Sequence, residues 1–397
     1  MANSLQQNQI YTILNAINAQ AKTGGSLTAV DTSSFTTVAQ TALLSGYDNL
    51  MSAISQVLSK TIFSHRPYEA ILDILYNDEI RWGNHVRKIV PLDWDAEADD
   101  RLPLTDGESV DPWVVKKPGA QQFNFYGQEV YQRHISIPKD QLDVAFSSEE
   151  EFARFVSMIY ANARDLITQD EENIRRMCLA NYIGGIYYTS PHSVVNLLTE
   201  YNTMLGLTGN DALTIETVYL PANYRSFIQW ASARIMSVSD ELRQRGYRWH
   251  KNLTIDGTAV NIPRHTPREY QKFIMFAPAY RQIENSALAN TWHDNYIKGF
   301  DGFEAVNFFQ NPDHPAQVNV TPSIITNAGE YQKADQIVVS NIFGMIFDRD
   351  AMGQTRINEW AQATPINPRG GYSNMFWHYT NRWYNDFTEN AVLFTLN

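Results

Sequence analysis

The sequence predicts an α+β fold, and three observations carry that expectation. Apolar residues recur at helical spacing from Phe152 to Cys178, a run far longer than an average globular helix. A period-two alternation extends from Gln122 to Ile137, the pattern of a half-buried strand. Beyond residue 214, strand-like and helix-like stretches follow one another without the regular repeat of a βαβ array.

Composition bounds what such a fold can be for. Of the 397 residues, 44% are hydrophobic and 19% charged, enough apolar material for a buried core and too much for large-scale disorder. The 9 Trp, 21 Tyr and 19 Phe supply flat rings that bury much area at low entropic cost, as large contact surfaces require. With 31 basic residues against 43 acidic ones the net charge is -12, and no Lys/Arg run appears. Tight binding to nucleic acid phosphates is therefore not expected. The amino terminus, MANSLQQNQIYTIL, lacks a basic region followed by an apolar stretch, and no window resembles a membrane span.

The elements can be justified in order. Residues 1–60 read as an N-terminal arm, because only Lys22, Asp31 and Asp48 are charged within 1–59. Ile10, Ile13, Leu14 and Ile17 share a helix face, Gly24 and Gly25 interrupt it, and Leu43, Leu44, Leu50, Ile54 and Leu58 mark a second helix. So weakly charged a segment must lie on something, its own body or a neighbour. Residues 61–90 carry a short amphipathic helix from about Pro67 and a strand from Val86 to Val90. From Pro91 the chain turns polar, acidic and turn-rich, so 91–137 reads as a long two-stranded β-excursion with its tip near Lys116–Gly119. Within it Phe123, Phe125, Tyr131, Ile135 and Ile137 share one face.

Residues 138–215 hold the long helix. Ser147 with Glu150 forms a capping box, and Glu149, Glu150 and Glu151 suit the helix dipole. Gly184-Gly185 is expected to end the helix after roughly 36 residues, about 54 Å. In 216–350 the expectations are a strand at Thr217–Leu220, a helix at Asn223–Leu242, and strands at Thr258–Ile262 and Phe273–Ala277. A helical stretch at Ala279–Thr291 and strands at Ala305–Phe309 and Gln336–Phe347 follow. Residues 351–397 return to the core and end in an apolar strand, Asn390–Leu396.

Chemistry is sparse. No phosphate-binding GxxxxGK[ST], HExxH or GxSxG motif is present, and the nine histidines stand singly, so no catalytic residue, cofactor or metal site is assigned. Cys178 sits in the helical pattern and reads as a buried core thiol rather than a nucleophile. Asp93, Asp95, Glu97 and Asp99 alternate and could line one face, but Ala98 and Leu104 spoil a calcium loop, which favours a solvated or intersubunit face. Lys116 and Lys117, beside Trp113, read equally well as a solvated turn or as a contact with an acidic patch on another subunit. Trp113, Lys116, Lys117, Asp93, Asp95 and Glu97 are thus the candidate intersubunit residues. The aromatic C-terminal stretch with Arg369 and Arg382 could stack bases, but the acidic balance favours core or interface packing.

Two passages, taken with the order of segments, resemble the major capsid proteins of tailed double-stranded DNA phages. One is EVYQRHISIPKDQLDVAFSSEEEFARFVSMIYANARDLITQDEENIRRMCLANY, similar to an E-loop return strand feeding a spine helix. The other is FDRDAMG…NPRGGYSNMFWHYTNRWYNDFTENAVLFTL, similar to the close of head proteins from short-tailed phages. The resemblance implies a Hong Kong 97-like fold with an N-terminal arm (1–60), an extended E-loop (91–137) and a peripheral domain (61–90 and 138–215). An axial domain (216–350) and a C-terminal return (351–397) would complete it. It implies a non-enzymatic shell subunit that self-assembles into pentamers and hexamers, encloses double-stranded DNA without sequence-specific binding, and works with scaffolding and portal proteins but no membrane. Assembly in the host cytoplasm and a place in the virion capsid follow. Some relatives cross-link an E-loop lysine to a neighbour's asparagine, but the supporting glutamate and asparagine find no match here, so cross-linking is not expected. The start at Met1 suggests a separate scaffolding protein rather than a cleaved N-terminal segment. The alternative within the same fold is an encapsulin-type nanocompartment shell; a soluble hydrolase or binding enzyme using scattered His and Asp residues is the rival from another class.

Overall fold

Two hydrophobic cores are threaded on one helix. The computed structural model describes residues 7–20, 28–30, 32–44, 47–58, 68–78, 86–93, 104–111, 113, 115, 117, 119–146, 149–255, 258–260, 262–285, 302–326 and 330–397. The chain opens with α1 (Gln7–Gln20), α2 (Thr32–Leu44) and α3 (Tyr47–Leu58). It continues through β1 (Val86–Pro91), β2 (Ala120–Phe125), β3 (Gln128–Pro138), α4 (Lys139–Ala145) and α5 (Glu149–Thr189). Next come β4 (Val194–Asn196), α6 (Leu197–Leu205), α7 (Ile215–Val218) and α8 (Pro221–Leu242). The order proceeds with β5 (Leu253–Ile255), β6 (Thr258–Val260), β7 (Gln271–Phe276), α9 (Ala277–Asn285) and β8 (Gly302–Val306). Short strands β9 (Val318–Val320), β10 (Ser323–Ile325), β11 (Tyr331–Lys333) and β12 (Ile337–Val339) precede β13 (Ile342–Asp348). Last come β14 (Met352–Ala363), β15 (Tyr372–Asn385) and β16 (Ala391–Thr395).

The first core lies between α1–α3, the N-terminal half of α5 and one face of an antiparallel sheet ordered β14-β15-β3. Ile10, Ile13, Leu14 and Ile17 are all buried there, as their spacing predicts. Phe152 anchors the junction, edge-on to Phe35 and to Phe146 at 6.0 and 5.1 Å. The second core lies between the C-terminal half of α5 and a five-stranded sheet ordered β4-β16-β13-β7-β8. That sheet is covered on its other face by α6, α8 and α9. Alternation along the strands shows both faces in use: Leu393 points to the α5 side, whereas Val392 and Phe394 point to the α8 side.

Between the cores every crossing element turns polar at the same level. On α5, Asp170, Glu171, Glu172, Arg175 and Arg176 separate Ile167 of the first core from Cys178 of the second. Arg133 on β3 grips Asp170 through two bonds of 2.7 and 2.6 Å, and the Tyr379 hydroxyl donates to the same carboxylate. Burial alone would raise the Asp170 pKa, but the Arg133 and Tyr379 hydrogen bonds prevail and hold it below the ordinary value. Arg356 donates to Glu171 at 2.5 Å, and Arg175 to Gln354 at 2.9 Å, which in turn donates to Asn381 at 2.9 Å. Glu172 takes the Tyr68 hydroxyl at 2.5 Å and two bonds from Arg176, whose guanidinium lies 3.9 Å from the Phe308 ring centre. Removing one member would leave a buried charge unpaired, so these residues are mutually dependent.

Several expectations need correction. Gly184-Gly185 does not end α5, which runs 41 residues to Thr189, about 62 Å at 1.5 Å per residue. The glycines serve packing instead: a Cβ on Gly184 would fall 2.4 Å from Val320 Cγ1, and one on Gly185 2.3 Å from Phe387 Cε1. The segment around Thr217 is not a strand but the short helix α7, because Thr214 and Thr217 form a reciprocal cap. The strand expected at Gln336–Phe347 is two strands, β12 and β13, broken where Asn341 adopts φ 56°. Residues 68–78 form only a 3-10 turn, Asp73–Leu75, in place of an amphipathic helix. Ser147, expected to cap α5, lies outside the described residues, as does Pro67.

Candidate intersubunit surface

The excursion is built differently from the simple two-stranded hairpin of the sequence reading. β1 pairs antiparallel with β2, from Val86 opposite Phe125 to Pro91 opposite Ala120, and Leu92 N–H adds one further bond to Gly119 O at 2.9 Å. β3 instead pairs with β15, from Pro138 opposite Tyr372 to Gln128 opposite Arg382. The continuous alternation thus serves two sheets in succession. The change falls at Tyr126-Gly127: Trp383 N–H donates to Gly127 O at 3.1 Å, and a Cβ on Gly127 would sit 2.2 Å from Trp383 O. Only glycine allows the strands to approach this closely.

The inward face of the β1–β2 ribbon is fixed by aromatics. Val90, Phe123 and Phe125 are buried in the second core, and the Phe125 ring lies 6.0 Å from Tyr331 and 5.5 Å from Tyr384. Farther out the pattern reverses. Trp113 is 83% exposed and Val115 79%, and Leu104 and Val110 are exposed as well. Single exposed apolar residues are ordinary, but four within residues 104–115 leave much apolar area in water. Acidic groups flank them. The Asp111 carboxylate accepts the Trp113 N–H at 2.9 Å, and Glu108 accepts the Thr105 N–H at 3.1 Å.

The candidate residues fare unequally. Trp113 and Lys117 are described and exposed; Lys116, Asp95 and Glu97 lie outside the described residues. Asp93 pairs with Arg245 of the same chain at 2.7 Å, and with both side chains about half exposed the pair contributes little stability. Among the described residues no three His, Cys, Asp or Glu side chains are grouped to hold a metal ion, and no helix is long and apolar enough to cross a membrane. Cys178 is buried, its pKa pushed up by burial, and its thiol donates to Asn385 Oδ1 at 2.8 Å.

One surface escaped the sequence reading. On the open face of the β14-β15-β3 sheet, Trp360 stacks on His378 with ring centres 4.0 Å apart and planes at 15°. His378 lies 6.2 Å from Phe376, which stacks on His134 at 5.4 Å. Trp360 is 45% exposed, so this column of rings faces outward. Cross-strand pairing of β14 with β15 and of β15 with β3 creates it, and no local spacing announces such a pairing.

A family model described as Phi29-like phage major capsid protein matches residues 11–395. Comparison with curated proteins returns no match. Among solved structures, a chain in the capsid structure of Staphylococcus phage Andhra is similar, with TM-score 0.51 and 11% identity over 83% of this chain and 86% of that one. A chain in the structure of head fiber and inner core protein gp22 of native bacteriophage P68 has TM-score 0.51 and 12% identity, over 85% of this chain and 88% of that one. At such identities the likeness is one of fold, a mixed helix-and-sheet arrangement shared with phage capsid structures.

Proposed function

We propose, from the premise that this chain belongs to the Phi29-like phage major capsid protein family and is a structural protein of the phage head shell, that it works by summing many modest contacts between copies. The subunit is read as Hong Kong 97-like. Residues 1–60 are its arm, 91–137 its E-loop, 61–90 with 138–215 its peripheral domain, 216–350 its axial domain and 351–397 the return. Copies assemble into pentamers and hexamers of an icosahedral head, whose closed symmetry prevents open-ended growth. Trp113, Lys116, Lys117, Asp93, Asp95 and Glu97 are proposed to lie at or near contacts between copies. The observation that carries this reading is the exposure of Leu104, Val110, Trp113 and Val115 within one stretch of chain.

The role is mechanical and thermodynamic rather than catalytic. A net charge of -12 suits a wall around double-stranded DNA, because repulsion lets the packaged genome slide. Scaffolding and portal proteins are the expected partners, assembly is expected in the host cytoplasm, and the family match favours a phage head over an encapsulin shell. Negative-stain electron microscopy of the full chain, expressed alone and with a candidate scaffolding protein, tests the reading. Closed shells or capsid-like sheets are expected; small discrete particles under both conditions would overturn it.

A further inference from the structure

The inner face of β1, which also carries Val86 and Val90, holds a lysine whose charged end is mostly shielded from solvent. Lys88 Nζ lies 2.7 Å from Asp386 Oδ2 and also contacts Glu389 Oε1. Asp386 is fully buried and Glu389 nearly so. Arg264 completes the group, with Nη1 3.2 Å from Glu389 Oε1 and Nε donating to Thr388 O at 3.0 Å. Asp386 Oδ1 accepts both the Thr388 N–H at 2.9 Å and its hydroxyl at 2.6 Å. Two cations therefore face two carboxylates in a closed box beside the ordered turn that leads into β16.

The box ties the ribbon to the body, alongside the exposed Asp93–Arg245 pair and the bond from Trp383 N–H to Gly127 O. Lys88 belongs to the ribbon that carries the excursion; the other three belong to the body. Around it the ribbon holds the body through apolar contacts of Val90, Phe123 and Phe125, which resist separation but define direction poorly, since hydrophobic attraction is non-directional. A lysine held between two buried carboxylates does define direction, because moving it a few ångströms leaves Asp386 desolvated and unpaired. We infer that Lys88 is a positioning residue, locked into the Asp386–Glu389–Arg264 box to fix the angle at which the ribbon leaves the body and hence where its exposed tip meets the next copy. The second clause rests on the proposed intersubunit role of the excursion; the locking itself does not.

Hydrogen exchange on the full-length, unassembled protein separates the two. In Lys88→Met, amides of 86–90 and 120–125 should lose on the order of 100-fold protection while those of 342–348 and 391–395 keep theirs, and Lys88→Arg should restore the ribbon. Unchanged ribbon protection overturns the lock, and uniform loss across the central sheet shows a general stability role and overturns it too. Should Lys88→Met not fold, Glu389→Gln removes one of two partners and should loosen the same ribbon amides alone; no ribbon effect overturns the lock. In the assembly arm, electron microscopy should show shells for Lys88→Arg and few or none for Lys88→Met. Normal shells from a loosened ribbon would overturn the positioning role while leaving the lock and the shell function intact.

Discussion

Replacing Gly185 by alanine sets two effects of known size against each other. In an ordinary helix interior alanine is favoured over glycine by about 1 kcal/mol, since the unfolded chain loses less freedom. At Gly185 the new Cβ would meet Phe387 Cε1 at 2.3 Å and Cζ at 2.5 Å, well inside contact distance. The ring has nowhere to go: Phe387 is buried and stacks on Tyr182 at 5.2 Å, and Tyr182 is itself fully buried. Overpacking of this kind costs about 1–3 kcal/mol, so the steric penalty should exceed the propensity gain and leave Gly185→Ala less stable by about 1–2 kcal/mol. Urea unfolding of the unassembled protein, followed by tryptophan fluorescence, measures the difference. Gly246→Ala is the control, because a Cβ there meets nothing within 4 Å. A midpoint for Gly185→Ala at or above that of the parent would refute the packing account of the twin glycines and return them to the role of helix punctuation.

Three other perturbations test separate claims. Trp113→Ser should leave urea unfolding within about 0.5 kcal/mol of the parent, since an exposed ring buries little within the chain, yet reduce shell yield in electron micrographs. The Cys178 thiol should resist a soluble disulfide reagent in the native protein and react once urea exposes it; rapid native labelling would contradict its burial against Asn385. Burial pushes the His250 pKa down to about 4, below the ordinary value of about 6.5. The unfolded chain therefore binds the extra proton between those values, and this group's stability, intact above pH 6.5, is lost as pH falls toward 4, by roughly 3 kcal/mol in full. Glu389, pushed up to about 7 by burial, acts with the opposite sign, so the test compares the stability slopes of parent and His250→Gln between pH 6.5 and 4.5. Equal slopes would rule the imidazole out.

Local periodicity made much of the architecture legible. The apolar faces of α1 and, apart from the exposed Met177, of α5, the alternation through β2 and β3, and the terminal strand β16 match their spacing, because burial on one face imposes its period on the sequence. What escaped is non-local. Nothing adjacent to Gly184 and Gly185 tells that Val320 and Phe387 press against them, so two packing glycines read as a stop signal. The break at Gly127 was hidden because the odd-numbered residues stay inward on both sides of it, through Phe123 and Phe125 to Tyr131 and Ile137. The candidate contact residues were legible only as a composition, acidic and turn-rich around a tryptophan. The exposure of Trp113 and Lys117 follows only from the structure.

The mid-chain charges show most plainly why a single sequence under-determines such a fold. Helical spacing assigns no partner to Asp170–Arg176, and Glu171, Glu172, Arg175 and Arg176 are buried, each tied to a partner far away in the chain. Polar partners impose fixed distances and angles where apolar packing would tolerate sliding, and the entropy of ordering them is offset only if every member is satisfied. Buried ion pairs thus stand at the joint between the cores and at the root of the ribbon. For a part that must present the same surfaces to its neighbours in every copy, fixing those two angles constrains the geometry more than further apolar burial would.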